Sequence, residues 1–437
     1  MANERYVLLG VATPRARWFR EVGQWAQSAA IPAEFVRCVS IAEMRARLAS
    51  GRPFSAVLVD GQLGGIDRDL VATASGHGCP VIVVDDRGPE PYRDLAPSAV
   101  LSPPFTRDAL LDTLAANAKM VGGAVVRTTT GPSQDVPAKR GEVVAVLGPG
   151  GTGASTAAIA LAEGLAGGGH AVDGPVLLAD LCRSADQAML HDSRVVVPGV
   201  QELVEAHRTG TVPTGLVRDQ TFEVAGRGYR LLLGLRRSRH FVTVRPRAFD
   251  AALDSLRRTF AVTVCDVDPD LEGEAETGSL DVEERHLMTR ATVARSSVIY
   301  VVGAPGLKGV FSTVRLVGEL LGFGAPAERI VPVVSRGPRN PRQRAEFSSS
   351  FRQLLGANVG EGPAKVMVNP VHLLERRVDE ALRDGVGMPK PLPSTLAGAY
   401  HAVLERVGPL TDVDAGPSRI TPGSLPASAA REATHRD

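Results

Sequence analysis

The sequence predicts an α/β protein built from two doubly wound parallel-sheet domains. Short apolar segments alternate with amphipathic ones in two series, first over 1–118 and again over 141–408. Strands that alternate with helices in this way favour parallel sheets covered by helices on both faces. The chain also has 437 residues, too many for one ordinary hydrophobic core. We therefore expect two domains of unequal size.

The first series, 1–118, predicts a five-stranded sheet. Helices are expected between the strands; one of them, SIAEMRARLASG, opens with a serine cap and closes with glycine. The expected strands are YVLLGVA, AEFVRCV, SAVLVD, PVIVVDD and AVLSPPF.

The second series follows a stretch, 119–140, whose Gly, Pro, Ser and Thr content predicts a flexible linker. It spans 141–408 and begins with the strand EVVAVLG. The end of the chain, 409–437, is rich in Pro, Ser, Ala and Gly and predicts a disordered tail. The further expected strands are PVLLAD, YRLLLGL, VTVCDV, SVIYVV, IVPVVS and KVMVNP.

Composition excludes several classes of protein. The 49 Lys and Arg residues nearly balance 48 Asp and Glu, and a net charge of +1 gives no general attraction to nucleic acid or an anionic membrane. The 4 cysteines form no CxxC pair, which argues against a disulfide framework or a zinc site. No apolar run approaches the roughly 18 residues that span a bilayer, and no signal peptide is recognised. We expect a cytoplasmic protein.

A candidate phosphate-binding loop follows the first strand of the second series. Gly148, Gly153 and Ser155 fit the pattern G-x-x-x-x-G-K-[ST], but Ala154 stands where the pattern has lysine. Glycines let the backbone N–H groups turn toward a phosphate, and the helix that follows adds its dipole. Ser155 is placed to bind Mg²⁺. A tight turn between strand and helix that binds no ligand remains the alternative.

Two acidic residues end later strands of the same series. VLLAD ends in Asp180, and VTVCD ends in Asp266. At the carboxyl edge of a parallel sheet, such carboxylates can bind Mg²⁺ or orient a water molecule. They are the candidate catalytic residues, and Asp266 with Ser155 is the candidate metal site.

These motifs resemble the MinD/ParA branch of P-loop ATPases, most closely the CpaE/TadZ group, in which a receiver-like (flavodoxin-like) domain precedes the ATPase. The loop of that family reads K-G-G-x-G-K-[ST]-T, and the segments DLCRSADQAML, ALDSLRRTFAVTVCDVDPD, IVPVVSRGPRNPRQ and VNPVHLLERRVDEALRDGVGMPKPL are similar to later parts of it. The resemblance implies ATP or ADP with Mg²⁺ as cofactors and a homodimer. The implied nucleotide-binding residues are Gly148, Gly150, Gly151, Thr152, Gly153, Ala154, Ser155, Thr156, Ser335 and Pro370.

The departures from the family pattern bear on catalysis. Its two lysines are replaced by Pro149 and Ala154, the second acid of its D-x-D motif by Cys182, and its asparagine near the adenine by Ser335. Losing a charge-assisted phosphate contact costs about 1.5–3 kcal/mol, roughly 10- to 150-fold in affinity. The missing lysine would also neutralise charge in the transition state. We expect nucleotide binding and, at most, weak ATP hydrolysis.

The first domain carries Asp60 at the end of SAVLVD, where a receiver has its phosphorylated aspartate. The segment LLGVATPR has no acid to hold Mg²⁺, Asp85 and Asp86 replace the usual Ser or Thr, and Pro103 replaces the usual lysine. No phosphorylation is therefore expected at Asp60. The domain is interpreted as a docking or dimerisation module.

By resemblance, the chain is expected to be a spatial regulator or scaffold that positions a pilus or secretion apparatus. Its implied partners are a second copy and proteins of the secretion, pilus or division machinery, which would recruit it to a pole or septum. The alternatives are a septum-site regulator, a weak ATPase that receives an arginine from a partner, and a DNA-binding partition protein. The run Arg236, Arg237, Arg239 and His240 is interpreted as a solvated loop, so DNA is not an expected partner.

Overall fold

The structure, a computed structural model, describes residues 5–13, 16–28, 30–49, 52–121 and 140–409. The strands are β1 Tyr6–Val11, β2 Ala33–Cys38, β3 Ala56–Asp60, β4 Val81–Val84, β5 Ala99–Leu101, β6 Glu142–Leu147, β7 Val176–Asp180, β8 Phe222–Glu223, β9 Arg230–Leu232, β10 Val262–Asp266, β11 Val298–Gly303, β12 Ile330–Val334 and β13 Val371–His372. The α-helices are α1 Arg17–Gln27, α2 Ile41–Ala49, α3 Arg68–Gly76, α4 Arg107–Asn117, α5 Ala154–Ala166, α6 Gln187–Leu190, α7 Val200–Ala206, α8 Thr214–Asp219, α9 Pro246–Thr259, α10 Glu274–Thr277, α11 Leu280–Ala294, α12 Leu307–Phe323, α13 Pro341–Val359, α14 Glu361–Val366, α15 Val378–Arg383 and α16 Leu392–Val407.

The strands form two separate sheets. The first has the order β2-β1-β3-β4-β5 and is parallel throughout, which is the strand order of flavodoxin-like domains. The second has the order β13-β12-β11-β6-β10-β7-β9-β8 and is parallel except for the pair β8–β9. The expected α/β fold with two parallel-sheet domains is confirmed. The antiparallel edge pair was not expected.

Continuous apolar strands explain why both sheets are covered on both faces. All six residues of β1 and five of the six in β6 are buried, as is typical of parallel strands between two layers of helices. In the second sheet, α5 is buried along nearly its whole length between the sheet and α16. The hydroxyl of Tyr300 on β11 donates to the carbonyl oxygen of Leu396 on α16 at 2.8 Å. These contacts fix the helix that starts at the candidate phosphate loop.

The two domains touch through α3 of the first and α9 of the second. Asp67, which precedes α3, pairs with Arg208 at 3.3 Å. The backbone N–H of Arg247 in α9 donates to Asp69 Oδ1 at 3.0 Å. The contact is thus strongly polar and lies on the α9 side of the second sheet.

One expected strand was wrong. KVMVNP was expected to be the last strand, but its first two residues end helix α14, and the edge strand β13 comes only at Val371. Gly360, with φ of +95°, ends α13 and lets a new helix start directly after it. Residues 122–139 of the expected linker and 410–437 of the expected tail lie outside the described residues. The boundaries 1–118 and 141–408 stay predictions. In the described ranges, every helix is too short or too polar to span a bilayer.

Candidate functional site

The loop 148–153 joins β6 to α5, and three of its glycines, Gly148, Gly151 and Gly153, could not be replaced without strain. Gly151 and Gly153 have φ of +78° and +90°, in the left-handed region that disfavours side chains. A Cβ atom at Gly148 would overlap the carbonyl oxygen of Val302 on the neighbouring strand β11. The glycine pattern in the sequence therefore produces a tight turn from strand to helix.

Three glycines of this loop face open space. Ideal Cβ positions at Gly150, Gly151 and Gly153 meet no heavy atom within 4 Å. The first N–H groups of α5 have no partner within the helix, and the positive end of its dipole lies at the same point. A loop of this kind at a helix N-terminus can bind an anion such as phosphate. Thr152 Oγ1 donates to the Pro149 carbonyl at 2.7 Å. Ser155 and Thr156 are half-buried in the first turn of α5. The remaining residues of this segment are Pro149, Thr152, Ala154, Ser155 and Thr156.

Asp180 and Asp266 lie next to each other at the carboxyl edge of the second sheet. They end β7 and β10, which are neighbouring parallel strands, and the register pairs the two residues directly. Their exposed fractions are 0% and 2%. Burial, reinforced by the charge of Asp266, raises the pKa of Asp180 to about 8. Burial also raises the pKa of Asp266 to about 6, although hydrogen bonds from Gln187 and Ser155 oppose that shift.

Gln187, at the start of α6, connects the two carboxylates to the loop. Its backbone N–H donates to Asp180 Oδ2 at 2.9 Å, and its side-chain Nε2 donates to Asp266 Oδ2 at 2.7 Å. The same Nε2 lies 3.2 Å from the carbonyl oxygen of Ser155. Its Oε1 is buried and has no hydrogen-bond partner among the described residues. A buried acceptor without a donor is uncommon and is normally satisfied by a water molecule or a ligand.

Three side chains here offer ligand atoms within 4.8 Å of one another: Asp180, Cys182 and Asp266. Burial and the nearby carboxylates raise the pKa of the Cys182 thiol far above its usual range. A neutral thiol is a poor ligand for a hard cation, whereas carboxylate and hydroxyl oxygens suit Mg²⁺. The residues present therefore fit Mg²⁺ through Asp266 and Ser155, with the Gln187 Oε1 acceptor beside them, and leave Cys182 out.

Arg336 follows β12 and extends its guanidinium to the loop. Nη2 donates to the carbonyl oxygen of Gly151 at 3.2 Å. Ser335, the residue before it, instead hydrogen-bonds the Gly303 carbonyl at the end of β11 through its N–H and its hydroxyl. Pro370 is buried just before β13, two strands away from β11. The structure thus places the glycine loop, both aspartates, Ser335 and Arg336 at one edge of the sheet, and Pro370 two strands away from β11.

Asp60 lies in the first sheet, and both of its carboxylate oxygens accept hydrogen bonds from nearby residues. Its Oδ2 accepts hydrogen bonds from the N–H of Thr13 at 2.9 Å and from the Thr13 hydroxyl at 2.8 Å. Its Oδ1 accepts the N–H of Gln62 at 3.0 Å. Thr13 lies in the segment after β1, where a receiver carries its metal-binding acids. In this chain a threonine contacts the strand-end aspartate from that position.

No family model matches the chain, and no curated protein matches it. Among solved structures, it is similar to a ParA family ATPase from Chlorobium tepidum, at 17% identity over 61% of this chain and 99% of that one, with a TM-score of 0.46. It is also similar to the cell division ATPase MinD from Pyrococcus furiosus, at 17% identity over 60% and 99% of the two chains, with a TM-score of 0.42. The septum site-determining protein MinD from Pyrococcus horikoshii, complexed with Mg-ADP, matches at 17% identity over 60% and 95%, with a TM-score of 0.40. The function of this chain is argued below from its own residues.

Two residues of the site were not predicted from the sequence. Gln187 lies in the segment DLCRSADQAML, but nothing in its spacing shows that its side chain reaches Asp266, which lies 79 residues farther along the chain. Arg336 had a usable signal, because it lies two residues after the carboxyl end of a buried strand, close to the position at which Asp180 and Asp266 end theirs.

Proposed function

We propose that this chain is a MinD/ParA-type nucleotide-binding regulator that takes ATP or ADP with Mg²⁺ and turns it over slowly or not at all. One observation carries the proposal: a glycine loop that faces open space at the start of α5 lies beside two buried carboxylates on adjacent strands. A strand–loop–helix unit of this kind binds phosphate through backbone N–H groups. The paired acids explain why a cation would accompany the phosphate.

Each residue has a distinct part in this proposal. The loop 148–153 and the first turn of α5 bind the phosphates, and Ser155 and Asp266 hold Mg²⁺, which supplies positive charge against the phosphate oxygens when it is bound. Asp180, whose raised pKa favours the protonated form at neutral pH, orients Gln187 toward Asp266. Ala154 supplies no charge where phosphate charge develops, so transition-state stabilisation is poor.

A nucleotide that is hydrolysed slowly stays bound, so it can control the state of the protein but supplies little energy for work. We infer that nucleotide binding promotes association with a second copy, and that the first domain docks partner proteins. The finer role, positioning of a pilus or secretion apparatus with septum placement as the alternative, is supported only by the sequence resemblance. Localisation of the labelled protein in cells that lack either the pilus-type secretion ATPase or the division machinery would separate the two: loss of a focal position in only one background identifies the role.

The test of the nucleotide site is a titration of the full chain with ATP and Mg²⁺, following binding and self-association together. We expect saturable binding below millimolar ATP that promotes a dimer. Asp266→Ala should weaken Mg²⁺-dependent binding at least about 10-fold, because a charged metal contact is lost.

The matched control is Asp60→Asn, which also changes a buried strand-end aspartate but in the first sheet. It should bind ATP like the unmodified chain. Absence of binding at millimolar ATP in the unmodified chain would overturn the proposal and leave a scaffold that does not respond to nucleotide.

A further inference from the structure

The glycine loop contains no cation of its own, and this raises the question of what neutralises the phosphates. The sequence pattern that the loop otherwise fits places a lysine at the position of Ala154, where it would reach the outer phosphates. Mg²⁺ alone leaves part of the phosphate charge unbalanced. A second positive group near the loop would therefore have a clear use.

Arg336 is such a group. Its guanidinium reaches across from the end of β12 and donates to the carbonyl oxygen of Gly151, inside the loop. It forms no ion pair with any carboxylate of the described residues. Its charge thus lies at the phosphate loop without a protein counter-charge.

The segment that carries Arg336 is held in place on its other side. The N–H of Gly337 donates to the Leu373 carbonyl at 2.7 Å, and Arg376 Nη2 donates to the Gly337 carbonyl at 2.8 Å. Arg344 Nη1 donates to the carbonyl oxygen of Arg339 at 2.7 Å. Arg336 itself has φ of +50°, a conformation that costs free energy in any residue with a side chain. The chain keeps an arginine there although glycine would fit the backbone better.

We infer that Arg336 is the cation that binds the nucleotide phosphates in place of the missing lysine, an inference that rests on the proposed nucleotide site. A guanidinium has five N–H donors, and one of them is used on Gly151. The others are free to pair with phosphate oxygens while that bond persists, which a lysine ammonium does less well because it lacks the planar fork. The positive charge is thus supplied within the same chain rather than by a partner.

The experiment measures the affinities of the full chain for ATP, ADP and adenosine with Mg²⁺, in the unmodified protein and in Arg336→Gln, Arg336→Lys and Arg336→Gly. Arg336→Gln should weaken ATP and ADP binding about 10- to 100-fold and leave adenosine unchanged, because only the phosphates meet the guanidinium. Arg336→Lys should retain part of the affinity. Arg336→Gly relieves the left-handed backbone, so its loss of ATP binding cannot be attributed to unfolding.

The control is Arg339→Gln, which removes an exposed arginine from the same segment and should leave all affinities unchanged. A second readout is salt dependence: ATP affinity should fall less steeply with added NaCl in Arg336→Gln than in the unmodified chain. ATP affinity within about 2-fold of normal in Arg336→Gln would overturn the inference while the nucleotide site stands, as would equal losses for ATP and adenosine. Failure of the unmodified chain to bind ATP would overturn both.

Discussion

Asp60 in the first sheet and Asp266 in the second occupy equivalent places, each at the carboxyl end of an interior parallel strand. Asp60 accepts three hydrogen bonds from donors in two nearby turns, which satisfy both of its oxygens. Asp266 instead lies beside a second buried acid, Asp180, and shares a glutamine whose Oε1 has no partner. A strand-end aspartate thus has both oxygens satisfied by nearby donors in the first sheet. In the second sheet it belongs to a buried polar group in which one acceptor has no partner among the described residues.

The difference teaches that a strand-end acid becomes a functional candidate through its neighbours. Local N–H and hydroxyl donors stabilise a carboxylate and use up its acceptors. A buried second carboxylate has the opposite effect, since it raises the free energy of the charged pair until a proton or a cation arrives. The three predictions below test this contrast in order of decreasing effect.

The largest effect is expected from Gly148→Val, at the start of the second domain's loop. Its side chain would overlap the Val302 carbonyl, which is fixed within the sheet. We expect the free energy of unfolding to fall by about 3 kcal/mol or more, measured by denaturant titration with circular dichroism. Gly150→Ala, in open space, should change that free energy by less than about 0.5 kcal/mol but should weaken ATP binding. A Gly148→Val chain as stable as the unmodified one would contradict the described loop.

The second largest effect is a loss of stability at Asp60 in the first sheet. Asp60→Ala removes the acceptors of Thr13 and Gln62 and should lower the stability of the first domain by about 2 kcal/mol. Trp18 and Trp25 are the chain's 2 tryptophans and both lie in α1, so their fluorescence reports unfolding of this domain alone. ATP affinity should not change. A nucleotide-binding defect in Asp60→Ala would mean that the first sheet influences the proposed nucleotide site of the second sheet.

The smallest effect is a pH dependence of stability at His191, beside the acid pair of the second sheet. Burial lowers the pKa of His191 to about 4, while its Nδ1 faces the Gln187 carbonyl and its Nε2 faces the Tyr229 hydroxyl; the nearby Arg227 charge lowers it further. The unfolded chain, with a histidine pKa of about 6.5, binds more protons between these values. The contribution of His191 to stability should therefore fall as the pH drops from about 6.5 to 4.

His191→Gln should flatten this dependence by about 1 kcal/mol between about pH 6.5 and 5.5, the upper part of this window. Denaturant titrations at several pH values between about 4 and 7 measure it. An unchanged slope in the variant would show that His191 is not held neutral by its surroundings.

The sequence predicted those parts of the molecule whose causes are local. The run EVVAVL predicts a buried strand, and the glycines after it predict the turn, because each property acts within a few residues. KVMVNP was misread because its apolar residues suit the end of a helix as well as a strand. The positions of Asp180 and Asp266 at strand ends were predicted, but their pairing, their burial and the Gln187 bridge depend on strand order and on packing between distant segments. The approach of Arg336 to Gly151 spans 185 residues and could only be seen in three dimensions.

The register of β7 and β10 has a mechanical consequence for the acid pair. Because Asp180 and Asp266 are paired by the backbone hydrogen-bond ladder, neither can move away without shifting a whole strand. Both residues are also buried, so side-chain rotation can change their separation only slightly. The backbone of the sheet therefore sets the distance between the two carboxyl groups, whatever their protonation state and whether or not a cation lies between them.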